Sequence, residues 1–148
     1  MRGVWMACGL AVLGVASSAA AGGGKIYPGG MCQPVAGLQN DDTIRDHDLL
    51  WDGGINAEFM CPIIASKIKG TKGLRLVEMR VHPNGGTVSC RPVSVSGTSS
   101  QTVSNVADTA DEDVTLLLTL PLSLEGGSFV VRCTLPPGAR IRSYLVVE

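Results

Sequence analysis

The sequence predicts an all-β domain, an antiparallel two-sheet sandwich of jelly-roll type, with an immunoglobulin-like sandwich as the alternative and two disulfides holding it. Three observations predict it. Apolar residues recur at every second position over residues 114–124, turns rich in Gly and Pro punctuate the chain at short intervals, and four widely spaced cysteines remain once an N-terminal export segment is set aside.

The export segment comes first. Arg2 is the only charge before Lys25, residues 3–16 are apolar or Gly, and small residues fill 17–24. A basic start, an apolar middle and an Ala-x-Ala end form a secretory signal peptide, with Ala19-Ala20-Ala21 as the cleavage triplet and Gly22 as the mature N-terminus. A retained anchor would need roughly 18–20 strictly apolar residues, and this run dissolves into Ser and Gly before that. Cys8 lies too close to Arg2 to follow a complete apolar region, so a lipid-anchored cysteine does not fit. No later run is long enough to span a membrane, so the expected mature product is secreted, to the periplasm or beyond, and free of the membrane.

Removing residues 1–21 from the 148 leaves 127, enough for one domain that buries about two-thirds of its unfolded surface. Losing Arg2 takes the 12 Lys and Arg to 11, against 13 Asp and Glu. That balance suggests no polyanionic partner, and nucleic acid is not expected. The remaining cysteines are Cys32, Cys61, Cys90 and Cys133, an even set in an oxidising compartment, with three connectivities open. They contain no CxxC pair, so a zinc site is not expected, and no other cofactor is implied.

The elements follow in chain order. Residues 22–31 read as a flexible Gly-rich lead, and residues 32–148 as the sandwich domain. Residues 39–54 are polar and Asp-rich; Ile44, Asp48 and Trp51 could share one face of a short helix. Phe59, Cys61 and Ile63 alternate on a strand covered on both faces, and Val77, Met79 and Val81 alternate with Glu78, Arg80 and His82 on a half-buried one. Leu74 and Leu76 are out of phase with the latter, which suggests a bulge. Asn84-Gly85 suits the positive φ angles of a tight hairpin, so Thr87 should begin a return strand carrying Val88 and Cys90. Pro92 lacks a ladder N–H, which places that strand near an edge or a bulge.

Residues 97–105 read as a loop or an exposed edge strand. The alternation of Val114, Leu116, Leu118, Leu120, Leu122 and Leu124 marks the strongest strand, since helical spacing would leave several leucines in water and Pro121 would break the helix. Phe129, Val131, Cys133 and Leu135 face inward together, and Pro136-Pro137-Gly138 turns the chain into a last strand over 141–147. About eight strands result. In a jelly roll the second, seventh and fourth lie side by side and carry Cys61, Cys133 and Cys90, so Cys133 should pair with Cys61 or Cys90 and not with Cys32.

Several stretches are familiar as a set: Tyr27-Pro28-Gly29-Gly30-Met31-Cys32-Gln33, Phe59-Met60-Cys61-Pro62-Ile63, Val88-Ser89-Cys90, and Cys133-Thr134-Leu135-Pro136-Pro137 followed by Ser143-Tyr144-Leu145-Val146-Val147-Glu148. Together they resemble a loose group of short exported proteins of unassigned function common in myxobacteria and related soil and marine bacteria. The resemblance implies secretion and a shared scaffold, and it brings no catalytic residues. Members of that group often carry an extra mid-chain cysteine pair, which this sequence lacks.

No motif fixes a reaction. Asp46-His47-Asp48 could orient an imidazole, yet no Gly-x-Ser-x-Gly accompanies it and the cysteines are committed to bridges. Asp41, Asp42, Asp46, Asp48 and Asp52 form the densest acidic stretch, without the oxygen spacing of an EF-hand, and Asp108, Asp111, Glu112 and Asp113 read as charged gatekeepers before an apolar strand. Lys67, Lys69, Lys72 and Arg75 make a basic connection. The reading is therefore a non-catalytic extracellular binding domain for a glycan or a protein, acting through loops, with Trp51 as aromatic anchor and Asp48, Asp52 and Tyr27 beside it. The alternatives are a small secreted enzyme or inhibitor using the acidic loop 41–52, and a structural coat or matrix subunit.

Overall fold

A computed structural model describes residues 24–35, 43–64, 76–96, 99–102, 105–120 and 128–147. The signal segment, the basic connection at 67–75 and the stretch 121–127 lie outside the described residues.

Twelve strands occur among the described residues: β1 (Lys25–Pro28), β2 (Gln33–Pro34), β3 (Thr43–Arg45), β4 (Leu49–Trp51), β5 (Ala57–Ile63), β6 (Leu76–His82), β7 (Val88–Ser96), β8 (Ser99–Thr102), β9 (Val106–Asp108), β10 (Val114–Thr119), β11 (Ser128–Leu135) and β12 (Arg140–Val147). All pairings are antiparallel, in two sheets. Sheet A runs β10-β6-β12-β4-β3, with β1 also on β12; sheet B runs β2-β5-β11-β7-β8, with β9 also on β7. The long strands β5, β6, β7, β10, β11 and β12 alternate between the sheets, the jelly-roll-like arrangement of an antiparallel sandwich.

Period-two patterning builds the core. Val77, Met79 and Val81 of β6, Leu116 and Leu118 of β10, and Ile141, Tyr144 and Val146 of β12 line the inner face of sheet A. Phe59, Cys61, Val131, Cys133 and Leu135 answer from sheet B. Each large side chain so buried contributes about 1.5–3 kcal/mol. Leu117, the one leucine out of phase in β10, is 55% exposed.

Strands β5, β11 and β7 lie side by side, and Cys133 sits directly opposite Cys90. The bridges are Cys90–Cys133 and Cys32–Cys61, with Cα–Cα separations of 4.1 and 4.0 Å. Cross-strand partners stand at that separation, so the register itself brings each pair together.

Four local expectations are corrected. Residues 43–51 of the Asp-rich segment form the hairpin β3–β4 rather than a helix, because Leu49 and Trp51 alternate into the core; Asp41 and Asp42 lie outside the described residues. Residues 83–86 do make the tight turn, with Asn84 and Gly85 at φ 55° and 73°, but it carries the chain from sheet A to sheet B instead of closing a hairpin. The bulge expected from Leu74 and Leu76 does not include Leu76, which pairs in register with Thr119 and Val147, while Leu74 lies outside the described residues; a register shift lies instead in β12, between Ile141 and Ser143. The lead expected over 22–31 belongs to the sandwich from Lys25 onward, as β1 and a 3₁₀ turn over Gly29–Met31. Gly29 lies against the β12 bulge, where a Cβ would stand 1.8 Å from the Ile141 carbonyl oxygen, so only glycine fits there.

The Pro92 expectation holds in modified form. Pro92 is buried, and it falls where the flank of β7 passes from β9, paired at residues 88–90, to β8, paired at 93–96.

Candidate functional site

The best-defined surface feature is on the outer face of sheet A. In β6 the residues between the core positions are Glu78, Arg80 and His82; in β12 the bulge turns Arg142 outward. Asp113, just ahead of β10, joins them. Its Oδ1 accepts from His82 Nδ1 at 3.2 Å and from Arg142 Nε at 3.3 Å, and its Oδ2 lies 3.6 Å from Arg80 Nη2. Arg142 Nη1 donates in turn to Asp48 Oδ2, so one guanidinium spans two carboxylates.

The pairing sets the protonation states. Desolvation pushes the Asp113 carboxyl up, but the Arg142 hydrogen bond and the charges of Arg142, Arg80 and His82 outweigh it and hold it below its ordinary value of 3.8. The hydrogen bond to Asp48 raises the Arg142 guanidinium further. Behind them, burial, with Tyr27 adding to it, pushes the Tyr144 phenol well up, and its OH donates to the Pro62 carbonyl at 2.7 Å.

Two open depressions flank this chain of charges. One, of about 340 Å³, is lined by Asp46, His47, Asp48, Leu50 and Arg140. The other, of about 140 Å³, is lined by Ile26, Glu78, Arg80, Thr115, Ser143 and Leu145. Asp48 borders the first and Arg80 the second, so the ion pairs join the two into one polar strip with apolar margins.

The anchor expected at Trp51 is corrected. Its side chain is 2% exposed, meets Phe59 edge-on at 5.5 Å between centroids, and donates its indole N–H to the Ile55 carbonyl at 2.7 Å. A Cβ at Gly53 would stand 2.1 Å from the Trp51 ring, so the backbone itself covers one side of the indole. Tyr27 is not a free platform either: it stacks on Tyr144 at 5.1 Å and its OH donates to the Ile64 carbonyl. Asp52 is exposed but lines neither depression, whereas Asp48 lies in the strip.

Asp46 and His47 are about nine-tenths exposed, with His47 Nε2 3.9 Å from Asp46 Oδ1. Among the described residues no serine lines the depression they border; Ser143 lines the other one. Arg80, Arg140 and Arg142 were missed in the sequence because their meeting depends on strand register and on a bulge that no local pattern marks.

No family model and no curated protein matches the chain. Solved structures do resemble it in fold, two β-sandwich carbohydrate-binding modules among them. The C-terminal CBM6 of LamC, a marine laminarinase from Zobellia galactanivorans, superposes with a TM-score of 0.55 at 11% identity, covering 85% of this chain and all of that one (100%). The module CBM6cm-2 of Cellvibrio mixtus lichenase 5A, solved in complex with cellotriose, gives 0.50 at 17% identity, covering 84% and 96%.

Proposed function

We propose that the chain is an exported, non-catalytic glycan-binding domain, and that the polar strip on the outer face of sheet A is its binding surface. The observation that carries this reading is the pre-paired chain Asp48–Arg142–Asp113–Arg80 joining two open depressions. Charged groups locked by one another offer fixed acceptors and donors to the hydroxyls of a sugar, at little further ordering cost. Ile26, Leu50 and Leu145 supply the apolar margin against which the C–H face of a ring can lie. The fold shared with carbohydrate-binding modules and the two disulfides support the same reading, the latter fitting an oxidising compartment.

Affinity electrophoresis tests it. The mature protein should be retarded by at least one of laminarin, barley β-glucan, xylan or pullulan cast into the gel. Glu78→Ala with Arg80→Ala, and separately Arg140→Ala, should weaken that binding about tenfold or more while the melting temperature stays nearly constant. Retardation by none of these polymers, or unchanged retardation in both variants, would remove the strip from the account. N-terminal sequencing of the exported product should begin at Gly22.

A further inference from the structure

The opposite face of the sandwich holds a second concentration of charge. In sheet B, Arg132 of β11 stands directly opposite Arg91 of β7. Like charges placed face to face across strands repel, so the pairing needs a compensating anion. Glu58 of β5 supplies one carboxylate: Oε1 lies 3.2 Å from Arg91 Nη2, and Oε2 lies 3.9 Å from Arg132 Nη1. To meet it, Arg91 reaches across the full width of β11, about 10 Å between β7 and β5. Among the described residues no other carboxylate lies within ion-pair distance of either guanidinium. Two cations therefore share one anion, with Arg91 45% and Arg132 37% exposed. Arg132 Nε is moreover buried without a hydrogen-bond partner among the described residues, an uncommon state for so strong a donor.

We propose that the outer face of sheet B carries a separate site for an oxyanion, the carboxylate or sulfate of an acidic polysaccharide, with Arg91 and Arg132 as its cations. A guanidinium that turns outward presents Nε–H and Nη–H as a fork matching two oxygens of such a group. That turn gives the orphan Nε a partner and supplies the second counter-ion that Glu58 alone does not. Composition averages acidic and basic residues over the whole chain and so points away from a polyanion; strand register concentrates the two arginines at one place. The proposal takes from the preceding section only that the ligand is a glycan, and it is independent of the strip on sheet A.

The test casts polygalacturonate, dextran sulfate and a neutral polymer bound by the wild type into separate gels. The wild type should be retarded by one or both polyanions, less so as NaCl is added; polygalacturonate alone marks a carboxylate site and dextran sulfate alone a sulfate site. Arg91→Gln and Arg132→Gln should each weaken that retardation about tenfold, leaving any neutral-polymer binding intact. Glu58→Gln, which removes the competing carboxylate, should strengthen it. Lys25→Gln, at an exposed cation of β1 that lines neither depression, controls for charge alone and should leave polyanion binding near wild type. If Arg132→Gln does not fold, Arg91→Gln and Glu58→Gln still decide. The proposal is overturned if neither polyanion retards the wild type, if Arg91→Gln binds as wild type does, or if Lys25→Gln costs as much as Arg91→Gln. Failure of the sheet A reading shows separately, as unchanged neutral-polymer binding in the Glu78/Arg80 and Arg140 variants.

Discussion

Trp51→Ala separates a core tryptophan from a binding platform. Truncation leaves the backbone bonds of residue 51 in place, its N–H to the Ala139 carbonyl and its carbonyl to the Gly138 N–H, so the change acts through the side chain alone. Emptying a fully buried indole site costs about 3–5 kcal/mol in lost transfer energy and cavity, the edge contact with Phe59 included. The lost bond to Ile55 adds under about 1 kcal/mol, because Ile55 is exposed and water can reach its carbonyl. A total near 4 kcal/mol is a large part of a domain's stability and lowers the melting temperature by roughly 12–20 °C. Guanidinium titration of the oxidised mature protein, followed by far-UV circular dichroism since Trp51 is its only tryptophan, reads the loss directly. Trp51→Phe keeps most of the packing and should cost about 1–2 kcal/mol. Loss of glycan binding in Trp51→Ala with an unchanged denaturation midpoint would refute the buried placement and restore Trp51 as the platform.

Three further outcomes follow from the same structure. Leu118→Ala should cost about 2–5 kcal/mol and Leu117→Ala under about 1 kcal/mol, measured by the same titration, because neighbouring residues of β10 face opposite ways. Asp113, with its folded value held below 3.8, contributes stability that is present above that value and lost as pH falls through the lowered one; thermal melts from about pH 6 down to about pH 2 should show a shallower acid limb in Asp113→Asn, and added salt should shrink the difference. Non-reducing peptide mapping should find Cys32–Cys61 and Cys90–Cys133, and Cys-to-Ala removal of either bridge should cost about 2–4 kcal/mol, the two differing by only about 0.4 kcal/mol for loops of 29 and 43 residues.

The legible part of the fold was what local pattern encodes. The phases of β5, β6 and β11, and of β10 as far as Leu120, were readable because inward residues recur with period two, and the neighbouring of Cys61, Cys133 and Cys90 followed from the strand order of a jelly roll. What failed was partner choice. Asn84-Gly85 specifies a tight turn whether the chain returns in its own sheet or crosses to the other, and here the long strands always cross. Trp51 misled because its flanks are polar: Asp48 and Asp52 lie on either side of a strand too short to reveal its period. The strip around Arg142 was invisible, since it is assembled from β6, β12, the turn before β4 and the approach to β10.

Both disulfides brace sheet B, one joining Cys32, just ahead of β2, to β5 and the other joining β7 to β11, and none of the described cysteines lies in a strand of sheet A. An oxidised chain unfolded by heat or denaturant therefore keeps, in sheet B, two strand pairs tethered at their native contact points. Sheet A retains no such memory and must be rebuilt by diffusive search, with β6 finding β12 from more than 50 residues away. The covalent framework thus divides refolding into a templated half and a searched half. A chain reaching an oxidising compartment would gain the first half as soon as its thiols pair, with the hydrophobic seam between the sheets left to recruit the second.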